Sequence, residues 1–398
     1  MIQNKLYVYW YIMKKTLIMT LEFPPQVGGI ATYTHDLANA LDPEKVVVLA
    51  PGGTDKFASA KQKAEWDAKQ KYKIIRKKIL FPKFIWPRWI PLLFQVMRIV
   101  RKEKIKVIFV QHVLPVGYVG IMIKKIFHVP FLLFSHGTDL LAGTNTAWKK
   151  KMVTKVSNAA ERVIFNSNSL QDRFLRVLPQ FEKKSFVLYP CPEPSFLESP
   201  SREKIDNLRR QYALEGKQVL LSVSRLDEGK GFLYMIRYMS KILESAPNLV
   251  WFIIGGGFKR DTIMDAIRKN NLQNIVRFIG EIPHEELPVY FYTSDVFVLL
   301  THPDEGKEEG LGLVFLEASA AGLPIIAGRS GGVPEAILDQ ETGLVVEATN
   351  KDQVVSSVLK FLQEKAYARQ LGMSAKSRMI RDFNWPKQIK LLEPWIGD

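Results

Sequence analysis

Two glutamates, eight residues apart, flank a glycine-punctuated run that leads into an apolar stretch. The run begins at Glu309, continues as Gly-Leu-Gly-Leu-Val-Phe-Leu and ends at Glu317. A carboxylate only accepts hydrogen bonds, so each glutamate suits neighbouring hydroxyls, one set on a hexose and the other on a ribose. Gly312 allows close backbone approach, and helix-start amides near Leu313 and Val314 would hold a diphosphate. An ordinary capped amphipathic helix fits equally well, and the run alone does not separate the two interpretations.

Two cations precede this run, where a strand gives way to a helix. Arg225 and Lys230 lie in the sequence Ser-Arg-Leu-Asp-Glu-Gly-Lys-Gly. Ligands of open α/β sheets bind beyond the carboxyl ends of the strands, so both cations would project into such a site and neutralise a leaving diphosphate. A surface loop would also carry Arg and Lys, but the glutamates that follow favour the functional interpretation.

Two segments of the first half also follow predicted strands. Gly28 and Gly29 allow the backbone to approach a phosphate or a sugar, although a plain strand-to-helix turn would use them too. His136, two residues before Thr138-Asp139, favours contact with a sugar over a purely structural hydrogen bond. No Gly-x-Gly-x-x-Gly pattern is complete, since Arg260 stands where the last glycine of one run should be, so a nicotinamide cofactor is disfavoured.

Short apolar runs alternate with helical patterns through both halves of the chain. This alternation indicates parallel βαβ units, and 398 residues exceed the size at which one core usually keeps growing. We therefore predict an α/β protein of two doubly wound, Rossmann-like domains. The predicted strands are 16–21, 46–49, 107–110, 131–134 and 163–165, then 219–223, 250–254, 275–279, 296–300 and 324–327.

The domain boundary is expected in residues 189–194, whose three alternating prolines disfavour both helix and interior strand. Residues 1–12 are expected to be an upstream extension or a loose tail. They are too short to span a membrane, and their charges follow the apolar stretch, unlike those of a signal peptide. The predicted parts are the extension 1–12, a first domain 13–190, a second domain 191–378, and a C-terminal helix 379–398 that could pack back on the first domain.

The positive charge of the chain is concentrated in its first half. Residues 1–190 hold 31 Lys and Arg against 12 Asp and Glu, whereas residues 191–398 hold 25 against 28. Basic residues interleaved with aromatics over 56–106 favour adsorption to an anionic membrane surface. Nucleic-acid binding would use the same chemistry, and a solvated face over a buried helix would give the same pattern. A single cysteine, Cys191, excludes an intrachain disulfide and indicates a reducing compartment, so we expect a cytoplasmic protein.

Taken in order, these segments resemble the signature of retaining glycosyltransferase family 4, which has the GT-B fold. The resemblance covers nearly the whole chain after Met13. The turn Ser330-Gly-Gly-Val-Pro-Glu335 belongs to it, although on its own it needs no more than a plain strand-to-helix turn. The amino-acid sequence around Glu309 and around this turn is especially similar to that of mannosyltransferases that act on phosphatidylinositol mannosides and of related envelope-glycan enzymes. The segments that carry the resemblance are Gly28-Gly29, His136-Gly-x-Asp139, Arg225 with Lys230-Gly231, Glu309-x7-Glu317 and Ser330–Glu335.

The resemblance implies two domains that face each other across a cleft and a role for each candidate residue. Catalytic roles fall to His136, which would contact the donor sugar, to Arg225 and Lys230, which would hold the donor diphosphate, and to Glu309, which would bind hydroxyls of the transferred sugar. Further donor contacts are implied for Gly29, Asp139, Gly312, Leu313 and Val314, and for Glu317, which would hold the ribose.

The implied reaction moves a hexose, mannose or a related sugar, from a GDP- or UDP-sugar to a lipid-linked or envelope-glycan acceptor with retention of configuration. No cofactor or metal is expected, in line with the absence of an Asp-x-Asp pair from the sequence. The enzyme would be cytoplasmic, with peripheral contact at the inner face of the cell membrane, and no nucleic-acid partner is expected. The alternative is a non-catalytic protein that binds nucleotides or polyanions on the same scaffold.

Overall fold

The computed structural model describes residues 13–26, 28–55, 58–82, 84–85, 87–137, 146–304 and 308–397. It forms two compact units. The first holds the chain as far as Pro190 together with Trp385–Asp398, and the second is Cys191–Asn384. The boundary between Pro190 and Cys191 falls in the proline-rich segment 189–194, whereas the predicted extension 1–12 lies outside the described residues.

The first unit is built on a parallel sheet in the order β3-β2-β1-β4-β5-β6-β7. Its inner strands are continuous apolar runs, as expected for a parallel sheet that is covered on both faces. Successive side chains point to opposite faces, so Leu17 and Met19 belong to one core and Ile18 to the other. The strands are β1 Thr16–Met19, β2 Val46–Pro51, β3 Lys73–Lys77, β4 Val107–Val110, β5 Phe131–Ser135, β6 Arg162–Phe165 and β7 Ser185–Val187.

Amphipathic helices cover the two faces of this sheet. In Ile90–Glu103, for example, Leu92, Val96, Ile99 and Val100 follow helical spacing and are buried. The described helices of this unit are α1 Gly29–Ala40, α2 Ala60–Asp67, α3 Ile90–Glu103, α4 Val116–Phe127, α5 Ala147–Ala159 and α6 Asn168–Val177, with a short 3-10 helix at Pro179–Lys184.

The second unit repeats the design with a parallel sheet in the order β10-β9-β8-β11-β12-β13. The strands are β8 Gln218–Val223, β9 Leu249–Ile254, β10 Val276–Gly280, β11 Val296–Leu299, β12 Ile325–Gly328 and β13 Leu344–Val346. The helices are α7 Arg202–Gln211, α8 Phe232–Ser245, α9 Arg260–Lys269, α10 Leu287–Thr293, α11 Leu313–Ala321, α12 Val333–Ala336, α13 Lys351–Gln363 and α14 Lys365–Asp382, with 3-10 helices at Pro194–Phe196 and His284–Glu286.

The C-terminal segment belongs to the first unit. Its helices are α15 Trp385–Lys390 and α16 Glu393–Ile396. Leu392 and Ile396 are buried in the first unit's core, and Gln388 accepts a hydrogen bond from the amide of Tyr189 at 2.9 Å. The segment begins at Trp385 rather than at the predicted residue 379. The reason is that α14 continues to Asp382, and Met379 on this helix is buried in the second unit.

The prediction of an α/β protein with two doubly wound domains is confirmed, and each predicted strand is present within a few residues. In each sheet the strand order reverses between two neighbours, β1 and β4 in the first unit and β8 and β11 in the second. Crevices form beyond the carboxyl ends of strands at such reversals. Among the helices of the described residues, none combines the length and the hydrophobicity of a membrane-spanning segment.

Candidate donor site

Two loops lie side by side beyond the carboxyl ends of β8 and β11. The amide of His302, after β11, donates to the carbonyl of Gly229, after β8, at 2.9 Å. Gly231 packs so closely that a Cβ there would lie 2.0 Å from the carbonyl oxygen of Leu300. Any larger residue at position 231 would clash with this carbonyl, so glycine is what allows the two loops to pack together.

This packing brings a predicted cation and a predicted carboxylate into contact. The Nζ atom of Lys230 lies 2.5 Å from Oε2 of Glu309, and both side chains are largely buried. Burial raises the pKa of the Glu309 carboxyl. The charge and hydrogen bond of Lys230, a hydrogen bond from the Gly310 backbone and the charge of Arg225 outweigh it and hold that pKa below its ordinary value. Glu309 is therefore ionised at neutral pH and fixed in place.

The second cation of the loop is more exposed. The side chain of Arg225 is 65 % exposed, and its only described ion pair is with Asp227, at 3.3 Å. Its charge nevertheless acts on Glu309. The predicted cations and the first predicted glutamate thus converge at one end of the second sheet, and the exposed guanidinium of Arg225 is accessible to an incoming anion.

A third loop supports Glu309 from the other side. The hydroxyl of Ser330 accepts a hydrogen bond from the Glu309 amide at 3.1 Å, and the amide of Gly332 donates to the Glu309 carbonyl at 3.0 Å. Gly331 has a φ of +48°, and a Cβ there would lie 2.0 Å from the Glu309 carbonyl oxygen. This turn, which the sequence alone left as a plain connection, positions the glutamate.

The helix α11 starts directly after Gly312, so the amides of Leu313 and Val314 lack intrahelical acceptors and lie at the positive end of the helix dipole. Glu317 projects from the same helix and is 4 % exposed. Its Oε1 lies 2.8 Å from Nε2 of His284. Sequence reasoning missed His284, although it follows a predicted strand just as His136 does.

In the first unit, His136 lies beyond the carboxyl end of β5. Its Nε2 is 2.7 Å from Oε1 of Gln111, which follows β4, and its ring packs edge-on against Tyr33 with 4.8 Å between centroids. Burial, and then the neighbouring His112, lower the pKa of His136 to about 3. The imidazole is therefore neutral at pH 7. With Nε2–H donated to Gln111, Nδ1 is the nitrogen that can accept from a hydroxyl.

Gly29 is the first residue of α1, and a Cβ there would meet no described atom within 4 Å. Packing within the described chain therefore does not require a glycine at this position, which leaves close approach of a ligand as its predicted use. Asp139 lies outside the described residues, and its role stays a prediction. The roles of the other candidates stay predictions as well, since the geometry gives their positions and not their ligands.

Two family models match the chain in succession. The model described as Glycosyltransferase Family 4 matches residues 27–193, and the model described as Glycosyl transferases group 1 matches residues 204–378. The chain belongs to glycosyltransferase family 4. The predicted membership and the GT-B fold are thereby confirmed, and the chain is a glycosyltransferase.

Relatives of known activity match along almost their whole length. A GDP-mannose-dependent alpha-(1-6)-phosphatidylinositol monomannoside mannosyltransferase of Mycolicibacterium smegmatis is 27 % identical over 376 residues, which cover 93 % of this chain and 94 % of that protein. A glycogen synthase of Mycobacterium tuberculosis is 25 % identical over 406 residues, covering 93 % and 91 %. The solved structure of Anabaena HepE in complex with UDP superposes with a TM-score of 0.77 at 18 % identity, covering 96 % and 98 %, a likeness of fold alone.

Proposed function

We propose that this chain transfers a hexose, mannose or a related sugar, from a GDP- or UDP-sugar to a lipid-linked or envelope-glycan acceptor. The observation that carries the proposal is the buried Lys230–Glu309 pair beyond the strand reversal of the second sheet, with Arg225 beside it. A sugar nucleotide needs both an acceptor for its hydroxyls and cations for its diphosphate. The mannosyltransferase relative supports mannose and a lipid acceptor.

In this proposal the second unit binds the donor. Arg225, Lys230 and the first amides of α11 hold the diphosphate and stabilise its charge as the bond to the sugar breaks. Glu309 accepts hydrogen bonds from hydroxyls of the transferred hexose, and Glu317 accepts them from the ribose. Charge stabilisation of the leaving diphosphate is the main contribution of the protein to the rate.

We also propose that transfer retains the anomeric configuration and needs no metal ion. Attack on the face from which the diphosphate leaves lets a donor phosphate oxygen take the acceptor proton. A neutral His136, with Nδ1 as an acceptor, suits a hydroxyl of the donor sugar better than a charged imidazolium would. The cations of the second unit would do the work of a metal.

A thermal-shift panel of GDP, UDP and ADP with their sugars tests the donor class. A ligand present at a hundred times its Kd stabilises the native state by about 2.7 kcal/mol. We expect GDP- or UDP-sugars to raise the unfolding temperature and ADP-glucose to leave it unchanged. Transfer from the stabilising donor, followed by proton NMR of the new anomeric centre, then tests retention. No shift with any nucleotide would overturn the proposal.

Peripheral contact with an anionic membrane is proposed for the first unit. Several cations of the basic stretch are used internally, since Lys63 pairs with Asp55 and Arg76 with Asp67. Phe94 is 65 % exposed on α3, and Arg98, one turn later on the same helix, is exposed as well. Sedimentation with liposomes rich in anionic lipid should carry down the wild type and less of Phe94→Ser. Ile380→Ser, an equally polar change at an exposed site of the second unit, is the control, and wild-type protein that stays in solution would remove the proposal.

A further inference from the structure

His284 lies between two carboxylates that come from different parts of the second unit. It starts the 3-10 helix His284–Glu286, which follows β10. Its Nε2 is 2.8 Å from Oε1 of Glu317 on α11, and its Nδ1 is 3.5 Å from Oε1 of Glu193 in the segment that enters this unit. Phe196 covers the ring, with 5.2 Å between centroids.

This arrangement calls for a proton on each ring nitrogen. A neutral imidazole has one N–H and would turn a lone pair towards one of the two carboxylates, whereas the imidazolium donates to both. Burial lowers the pKa of His284, but the charges and hydrogen bonds of Glu317 and Glu193 outweigh it and raise that pKa well above 6.5. Glu285 and Glu286, which follow His284 on the same turn, are exposed.

The contact matters because Glu317 is buried. A carboxylate that is 4 % exposed is costly unless it is paired, and within the described residues His284 provides its only hydrogen bond, through Oε1. Oε2 is therefore the oxygen left for a ligand, and the direction in which it points is set by the imidazole.

We propose that His284 is a positioning residue of the donor site, which holds the Glu317 carboxylate towards the ribose and offsets the negative charge of Glu317 and Glu193 next to an anionic nucleotide. The inference rests on the proposed function, because it takes Glu317 as the ribose ligand. Loss of the proton would leave the buried Glu317 carboxylate without its cation near the diphosphate, and repulsion would weaken donor binding.

The pH dependence follows from the direction of the shift. Nucleotide binds to the folded protein, in which the pKa of His284 is raised. The imidazolium therefore supports nucleotide binding below that pKa, and its contribution to the affinity is lost as the pH rises through it. Nucleotide affinity should therefore be highest near neutral pH and fall in the alkaline range, with the donor KM rising while kcat changes less.

The test titrates wild type, Glu193→Gln and His284→Phe with GDP and with UDP from about pH 6 to pH 10, with the histidine Cε1–H resonances followed by NMR. Glu193→Gln removes one carboxylate, so the His284 resonance should titrate at lower pH and the fall in affinity should move with it. His284→Phe should bind nucleotide roughly tenfold or more weakly, without the alkaline fall. His128→Asn, at an exposed histidine that ends α4, is the control and should behave as wild type.

The possible results separate the two proposals. If the wild type binds neither nucleotide, the proposed function fails whatever His284 does. If the wild type binds nucleotide and Glu193→Gln and His284→Phe bind it with the same affinity and pH dependence, the donor site stands and the role of His284 is overturned. Should His284→Phe fail to fold, the displacement of the titration and of the affinity in Glu193→Gln decides the matter alone.

Discussion

Glu309 is held by contacts from two neighbouring loops, and its chemistry is the best defined among the single residues of the site. Lys230 forms an ion pair with the Glu309 carboxylate. The Ser330 hydroxyl accepts a hydrogen bond from the Glu309 amide, and the Gly332 amide donates one to the Glu309 carbonyl. Side chain and backbone are therefore both fixed before any ligand arrives. Such preorganisation is what a site needs in order to stabilise a leaving group without rearranging.

Glu309→Gln should lower kcat/KM for sugar transfer by about 10²-fold or more, by comparison with the loss of one preorganised contact in other enzymes. The amide keeps the shape but replaces one acceptor oxygen by a donor and leaves Lys230 without its counter-ion. Steady-state kinetics measure the effect, and circular dichroism checks the fold. Glu244→Gln, which neutralises the exposed Lys241–Glu244 pair, is the matched control. Equal activity of both variants would count against the role of Glu309.

The sequence identifies functional residues when their types and their spacing together form a recognisable motif, as for Arg225, Lys230, Glu309 and Glu317. It does not identify partners that come from elsewhere in the chain. His284 lies 33 residues before Glu317, and Gln111 lies 25 before His136. Only the sheet order, which places their strands and loops together, shows these pairs.

Among the elements, the turn between β12 and α12 has a more specific role than its sequence indicates. Gly331 approaches the Glu309 carbonyl so closely that a Cβ would have to displace it. The turn therefore couples the end of β12 to the loop that follows β11.

Gly331→Ala should reduce transfer activity, whereas a glycine-to-alanine change away from the site should affect stability alone. The methyl group would push the Glu309 backbone away from Ser330 and spoil the contact with Lys230. Gly216→Ala is the matched control, since Gly216 also has a positive φ, +65°, but open space around it. Gly216→Ala should lose roughly 1 kcal/mol of stability through backbone strain, and Gly331→Ala should lose this and the cost of displacing the Glu309 carbonyl, as measured by chemical denaturation. Comparable activity in the two would show that the close contact at Gly331 does not position Glu309.

Strand prediction succeeded for the inner strands and for the edge strand β10, and missed the other three edge strands, β3, β7 and β13. The sequence of β3, Lys-Ile-Ile-Arg-Lys, is mostly charged, and β7 and β13 have three residues each. β3 is partly solvated and therefore lacks the continuous apolar run of a doubly covered strand, whereas β7 and β13 are too short to show such a run, although β13 is apolar and buried.

At the scale of the whole molecule, the chain crosses between its two units twice, and its C-terminal segment, which begins at Trp385, belongs to the first unit. Leu392 is fully buried in that unit's core, and Trp395 stacks on Phe186 with 5.5 Å between centroids. The amide of Lys14 donates to the carbonyl of Ile396 at 2.7 Å. This hydrogen bond therefore joins the residues that lead into β1 to the C-terminal segment.

Leu392→Ala should destabilise the first unit by about 2–5 kcal/mol, the usual range for truncation of a fully buried leucine. Hydrogen exchange of the β1 amides should accelerate accordingly, while amides of β8 in the second unit should exchange as before. Leu391→Ala is the control, because Leu391 is 46 % exposed. Identical exchange in the two variants would show that this segment does not stabilise the first unit.

Two domains and the place of the first crossing follow from chain length, the βαβ rhythm and the prolines after Tyr189. The second crossing, after Asn384, is not visible in the same way, because α14 continues without a break past the predicted boundary at 378. Its position depends on which core buries Met379, Leu392 and Ile396, which is a property of tertiary packing.

Isothermal titration of GDP- and UDP-sugars into wild type and Lys230→Ala, with Glu244→Gln as control, tests the central claim that the buried cation of the second unit holds the donor diphosphate. The account predicts that wild type and control bind one of these donors alike and that Lys230→Ala binds it at least roughly tenfold more weakly, since a charge-assisted contact is lost. Equal affinity of Lys230→Ala and wild type would contradict it.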